Sequence, residues 1–115
     1  MDILIVEDLD GIRGIMVKML TAQGHCVIEA SDGEDATLKA NANQLDLIIT
    51  EIVLAGRNGF DFVRDIAPKK PATRFMLIDR ENAGDMGVPS DIDALVLPSD
   101  LKTRGYKWLA SLLPD

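Results

Sequence analysis

Cysteine is almost missing from this chain: Cys26 is the one thiol in 115 residues, so an internal disulfide framework is excluded. Its setting, His25-Cys26-Val27-Ile28, is apolar, and a buried, inert thiol is expected there. The single histidine, His25, reads as a strand-start residue and not as a ligand. No apolar run approaches the ~20 residues of a membrane span. No basic run exceeds Lys69-Lys70, and 19 acidic against 12 basic residues give a net charge of −7. Such a surface repels phosphate backbones and anionic lipid, which argues against nucleic acid and membrane as direct partners. Repeats, low-complexity tracts and linkers are also missing, so residues 1–115 are expected to form a single domain. Met1 is followed at once by an acidic residue and a strand-like run, so no secretory leader is expected and a reducing cytoplasm is the simplest compartment.

What is present alternates between short aliphatic runs and helical periodicity, the pattern of a parallel sheet covered by helices. Ile3-Leu4-Ile5-Val6 is a continuous aliphatic run of the kind found in a strand buried on both faces, and Cys26-Val27-Ile28, Leu47-Ile48-Ile49, Phe75-Met76-Leu77-Ile78 and Ala94-Leu95-Val96-Leu97 read as the second to fifth strands. Between Asp10 and Ala22, Ile12, Ile15, Met16, Met19 and Leu20 recur on one helical face, and Gly24 ends the helix. Asp32 is placed to cap a second helix running to about Asn43. Gly56 and Gly59 mark the loop after the third strand; Phe60, Phe62, Val63 and Ile66 then belong to a third helix that stops before Pro68. A last helix is expected from about Ser99 to Leu113, with Leu101, Trp108, Leu109 and Leu112 inward. Right-handed crossovers place helices on both faces of such a sheet. The working residues then lie beyond the carboxyl ends of the strands. Those ends read Glu7-Asp8, Glu51, Asp79 and Leu97-Pro98, and three of the four are acidic. Converging carboxylates suit a hard cation such as Mg²⁺.

Ordered landmarks make the pattern more specific. Ile3-Leu4-Ile5-Val6-Glu7-Asp8, Ile12-Arg13, Asp32-Gly33, Asp46-Leu47-Ile48-Ile49-Thr50, Asn58-Gly59 and Leu97-Pro98 follow one another at spacings that resemble the response-regulator receiver family (CheY-like) over essentially the whole chain. The resemblance implies a flavodoxin-like, doubly wound α/β fold with a five-stranded parallel sheet in the order 2-1-3-4-5. It also implies a role in two-component signalling, in which a histidine kinase passes a phosphoryl group to an aspartate at the end of the third strand. Glu7 and Asp8 then match the acidic pair that holds Mg²⁺, Glu51 the phosphoacceptor, and Val53 the residue whose carbonyl completes the metal site. Asp79 falls where the family has Thr or Ser, Leu97 where it has Lys, and Ala94 where a switching aromatic residue sits.

These departures bear on the chemistry. Phosphoryl transfer needs an in-line nucleophile and fixed positive charge. Glu51 extends its carboxylate by ~1.5 Å relative to an aspartate, and about 1 Å of misplacement costs ~100-fold. Leu97 carries no charge, and an ionised Asp79 repels a phosphoryl group. Two such charges about 5 Å apart repel by ~3 kcal/mol at an effective dielectric near 20. Arg80 is the candidate neutraliser. The resulting expectation is a pseudo-receiver acting by protein–protein contact, not an enzyme, with Mg²⁺ permitted but no cofactor required. The alternatives are a still phosphorylatable or metal-dependent regulator using Glu7, Asp8 and Glu51, and a receiver fragment of a larger regulator. The end of the chain without a linker favours a complete protein.

Expected partners are a histidine kinase, a phosphotransferase or another signalling protein, with the chain a monomer or weak homodimer. Asp79 and Ala94 stand only fifteen positions apart, and the segment between them holds Gly84, Gly87 and Pro89. A stunted or absent fourth helix is therefore expected. Met86, Val88 and Tyr106 are the candidate interaction residues.

Overall fold

The computed structural model describes residues 1–79, the backbone of 94–96, and Leu113. Strands β1 (Asp2–Val6), β2 (Cys26–Ala30), β3 (Leu47–Glu51), β4 (Arg74–Ile78) and β5 (Ala94–Val96) form a parallel sheet in the order β2-β1-β3-β4-β5. Helices α1 (Asp10–Ala22), α2 (Gly33–Ala42) and α3 (Gly59–Ile66) connect the first four strands, and Pro68 lies in a short 3₁₀ helix, Ala67–Lys69, after α3.

Strands β1, β3 and β4 are buried on both faces, and alternation along each strand sorts their side chains. Leu4, Val6, Ile48, Phe75 and Leu77 join Ala36 and Ala40 of α2 and Phe60, Phe62, Val63 and Ile66 of α3 in one core. Ile3, Ile5, Leu47, Ile49, Met76 and Ile78 form a second core with Met16 and Leu20 of α1, against which Leu113 packs. The sheet is thus the middle of three layers.

Local chemistry explains the helix boundaries. The Asp35 amide donates to Asp32 Oδ1 at 2.8 Å and the Asp61 amide donates to Asn58 Oδ1 at 2.9 Å, so α2 and α3 both have side-chain N-caps. After α1 the chain turns through Gly24 at φ 90°, which favours glycine.

Two expectations need correction. Ile15 is 53% exposed and not part of the buried face of α1. At 100° per residue it stands at the edge of the arc centred on Met16 and Leu20, while Ile12, Val17 and Met19 pack partly against the core. Cys26 is exposed, because it begins β2 at the rim of the sheet, where no further strand covers it. Whether a fourth helix forms, and where the last helix runs, concerns residues outside those described.

Candidate functional site at the carboxyl end of the sheet

Three acidic residues are buried at the carboxyl ends of neighbouring strands. Val6 lies opposite Thr50, so Glu7 and Glu51 follow side by side on adjacent strands, about 4.8 Å apart along the hydrogen-bonding direction. Glu51 pairs with Ile78, which places Asp79 one residue beyond on the next strand. Glu7 is fully buried, Glu51 is 2% exposed and Asp79 3% exposed. Asp8 is half-buried, and Val53 is 44% exposed on the loop after β3. The structure therefore brings Glu7, Asp8, Glu51 and Asp79 to one pole of the sheet.

The backbone around this pole is closely tied. The Glu7 amide donates to the Ala30 carbonyl at 3.1 Å, and the Leu9 amide donates to Glu7 Oε1 at 3.1 Å. The buried Thr50 hydroxyl donates to the Glu51 carbonyl at 2.9 Å. Beyond Glu51, the Ile52 amide donates to the Ile78 carbonyl at 3.2 Å, and the Gly59 amide donates to the Ile52 carbonyl at 2.6 Å. Gly59 comes so near Glu51 that a Cβ there would overlap the Glu51 carbonyl oxygen.

Arg13 is a neighbour of the pole that the sequence pattern marked only as a landmark. Its Nη1 donates to the Glu7 carbonyl at 2.7 Å, its Nη2 to Asp10 Oδ1 at 2.6 Å and its Nε to Glu29 Oε1 at 3.1 Å. It joins the turn after β1 to α1 and to the edge strand. The Asp10 hydrogen bond raises its pKa above the ordinary arginine value, burial opposes that, and Glu29 adds to the rise. A raised pKa contributes stability that is lost only as pH climbs beyond the ordinary arginine range, so Arg13 stays charged at every ordinary pH. The Asp10–Arg13 spacing was a readable helical pair; the reach to Glu7 was not. Arg80, expected as the neutraliser, lies outside the described residues. So do Leu97, Met86, Val88 and Tyr106, and of Ala94 only the strand backbone is described.

Glu7, Asp8, Glu51 and the Val53 carbonyl offer hard oxygen donors of the kind Mg²⁺ takes. Among the described residues, however, no three of His, Cys, Asp and Glu are grouped so as to hold a metal ion. The described residues of the pole do not by themselves make an all-protein cage. Mg²⁺ needs only one or two carboxylates with water filling the other positions, and half-buried Asp8 stands at the rim where water reaches.

A family model described as the response regulator receiver domain matches residues 3–89. The chain belongs to that family. Among curated proteins, the receiver chain is 33% identical over 97 residues to the transcriptional regulatory protein AfsQ1 of Streptomyces coelicolor, covering 83% of this chain and 43% of that one. It is 35% identical over 123 residues to the transcriptional regulatory protein PdtaR of Mycobacterium tuberculosis, covering 96% of this chain and 60% of that one. The chain thus spans about half the length of these relatives. Among solved structures it is similar to the response regulator TrrA of Thermotoga maritima in complex with Mg²⁺–BeF, with TM-score 0.81 and 26% identity over 97% of this chain and 98% of that one. It also resembles the receiver domain of the hybrid histidine kinase CckA, with TM-score 0.72 and 28% identity over 98% of this chain and all of that one. The receiver fold is therefore α/β and flavodoxin-like, with helices covering a parallel sheet. Among the described residues no helix is long and apolar enough to cross a membrane.

Proposed function

We propose that this receiver domain works in two-component signalling as a protein–protein module whose shape does not depend on phosphorylation at Glu51. The observation that carries this reading is the burial of Glu51: at 2% exposure, beside fully buried Glu7 and buried Asp79, its carboxylate is poorly presented to an incoming phosphoryl donor. In-line transfer needs the nucleophile and donor phosphorus in near-contact, and acidic neighbours oppose the approach of a further anion. The replacements at Asp79, Leu97 and Ala94 support the same reading, since the residues that would grip and report a phosphoryl group are other types. On this reading the chain is a pseudo-receiver, not an enzyme, and acts in the cytoplasm as a monomer or weak homodimer. Its partner is a histidine kinase, a phosphotransferase or a comparable signalling protein. The similar TrrA, 25% identical, has been solved in complex with the histidine kinase ThkA. Glu7 and Asp8 would hold Mg²⁺ weakly, with water completing the shell.

Incubation with acetyl phosphate, and separately with beryllofluoride, each with Mg²⁺, tests the proposal. The expected intact mass is unchanged and Glu51 carries no adduct. Stoichiometric modification at Glu51 would overturn the reading; Mg²⁺ binding alone leaves it standing. The greater length of AfsQ1 and PdtaR supports a second reading, in which the domain is the receiver part of a larger regulator. The mass of the native protein in its own cells separates the two.

A further inference from the structure

A guanidinium outside the acidic pole ties down the loop that leaves it. Between β3 and α3 the chain passes Val53 and turns at Gly56, where φ is 84°. At its middle the Ala55 carbonyl accepts from two amides, Gly33 at 3.2 Å and Arg57 at 3.1 Å, and Gly33 is the first residue of α2. Arg57 then reaches across the seam between α2 and α3. Its Nη1 donates to Thr37 Oγ1 at 3.4 Å and to Asp65 Oδ2 at 3.3 Å, and its Nη2 donates to the Asp61 carbonyl at 3.1 Å. Thr37 in turn donates to the Gly33 carbonyl at 2.8 Å. The fit is close: a Cβ on Gly33 would lie 2.5 Å from Arg57 Cγ and 2.6 Å from the Arg57 carbonyl oxygen. The missing side chain of Gly33 is therefore the space through which the Arg57 stem passes.

We infer that Arg57 is a latch that sets the shape of the β3–α3 loop from the α2–α3 side, so that the loop keeps its form whatever the chemical state of Glu51. The second half of this inference rests on the phosphorylation-independent reading; the first half stands on the contacts alone. The mechanical reason is that the loop is held at three places. Its start is fixed by the Ile52 bonds to Ile78 and Gly59, its middle by Ala55, and its end by the Arg57 fork. Arg suits such a seam because its planar fork donates in several directions at once to a carboxylate, a hydroxyl and a carbonyl. Moving residues 53–56 requires the Ala55 carbonyl to leave Gly33, and the latch opposes that.

Amide hydrogen exchange on the whole chain tests the latch, read at Gly33 and at residue 57, whose amides both report on Ala55. The variants are Arg57→Met, which keeps an apolar stem against Gly33 and removes the fork, and Glu51→Gln. Arg57→Met is expected to speed exchange at both reporters by about 5-fold or more while Ile48 and Ile49 in β3 stay protected. Glu51→Gln is expected to leave the reporters unchanged. Unchanged reporters in Arg57→Met would overturn the latch. Equal acceleration at Ile48 and Ile49 would do the same, since it would mean that Arg57 only adds general stability. Faster exchange at the reporters in Glu51→Gln would overturn the claim of independence from Glu51. Phosphorylation is read separately by mass, so the two proposals fail separately.

Discussion

Two glycines play opposite parts. Gly59 opens α3 against the Glu51 carbonyl, and a Cβ there would also lie 3.0 Å from Ile52 Cα. Both obstacles are backbone and cannot turn aside. Gly59→Ala is expected to cost ~2–3 kcal/mol or more, read as a fall in the urea midpoint at constant m-value. Gly14 sits in α1 with nothing within 4 Å of its added Cβ. Gly14→Ala is expected to raise stability by up to ~1 kcal/mol, because alanine loses less backbone entropy in a helix. If the two variants moved the midpoint in the same direction, the close approach at Gly59 would not be what selects glycine there. In the sequence Gly59 reads as a loop glycine after the third strand; only the approach of β3 shows what its missing side chain makes room for.

At the level of elements, α2 and α3 share the same capping device but differ in what else holds them. Helix α3 buries Phe60, Phe62, Val63 and Ile66, whereas the fully buried side chains of α2 are the small Ala36 and Ala40. Removing either cap costs ~1 kcal/mol. With less apolar area behind it, α2 has less to resist fraying. Asp32→Ala is therefore expected to speed amide exchange across α2 more than Asn58→Ala does across α3, a comparison made in one exchange experiment. A reversed order would mean that packing does not govern which helix frays. The edge strand β2 is guarded in a related way: the Lys39 ammonium donates to the Glu29 carbonyl, placing a charge where another strand would pair. The Asp32 cap was visible in the sequence because capping is local, whereas Asn58 stood there only as a landmark. The Lys39 contact was not visible, since it depends on how α2 crosses the sheet.

For the whole molecule, a net charge of −7 works against compaction, and the surface ion pairs are modest compensation. The Arg13, Lys39, Arg57, Arg64 and Lys69 pairs with Asp10, Glu29, Asp35, Asp61 and Asp65 lie at least partly in solvent, where such pairs contribute about 0–1 kcal/mol each. Raising ionic strength from about 0.01 to 0.15 M shortens the Debye length from ~30 to ~8 Å, which screens long-range repulsion more than close pairs. The thermal midpoint is expected to rise over that range. A fall would show that the Arg13 and Arg57 networks outweigh the net charge.

The family and the layered fold were legible from the chain because they rest on short-range rules. Aliphatic runs of four, helical periodicity, caps and turn glycines each act within a few residues, and the landmarks from Ile3 to Asn58 kept their order. The acidic pole was legible for the same reason, since parallel strands carry their carboxyl ends to one side. Tertiary structure alone decided how deeply Glu7, Glu51 and Asp79 are buried, that Ile15 and Cys26 face solvent, and that Arg13 and Arg57 hold the loops around the pole. Those outcomes depend on which strand lies at the rim and which helix crosses a given loop, and contacts between residues distant along the chain leave no periodicity in it.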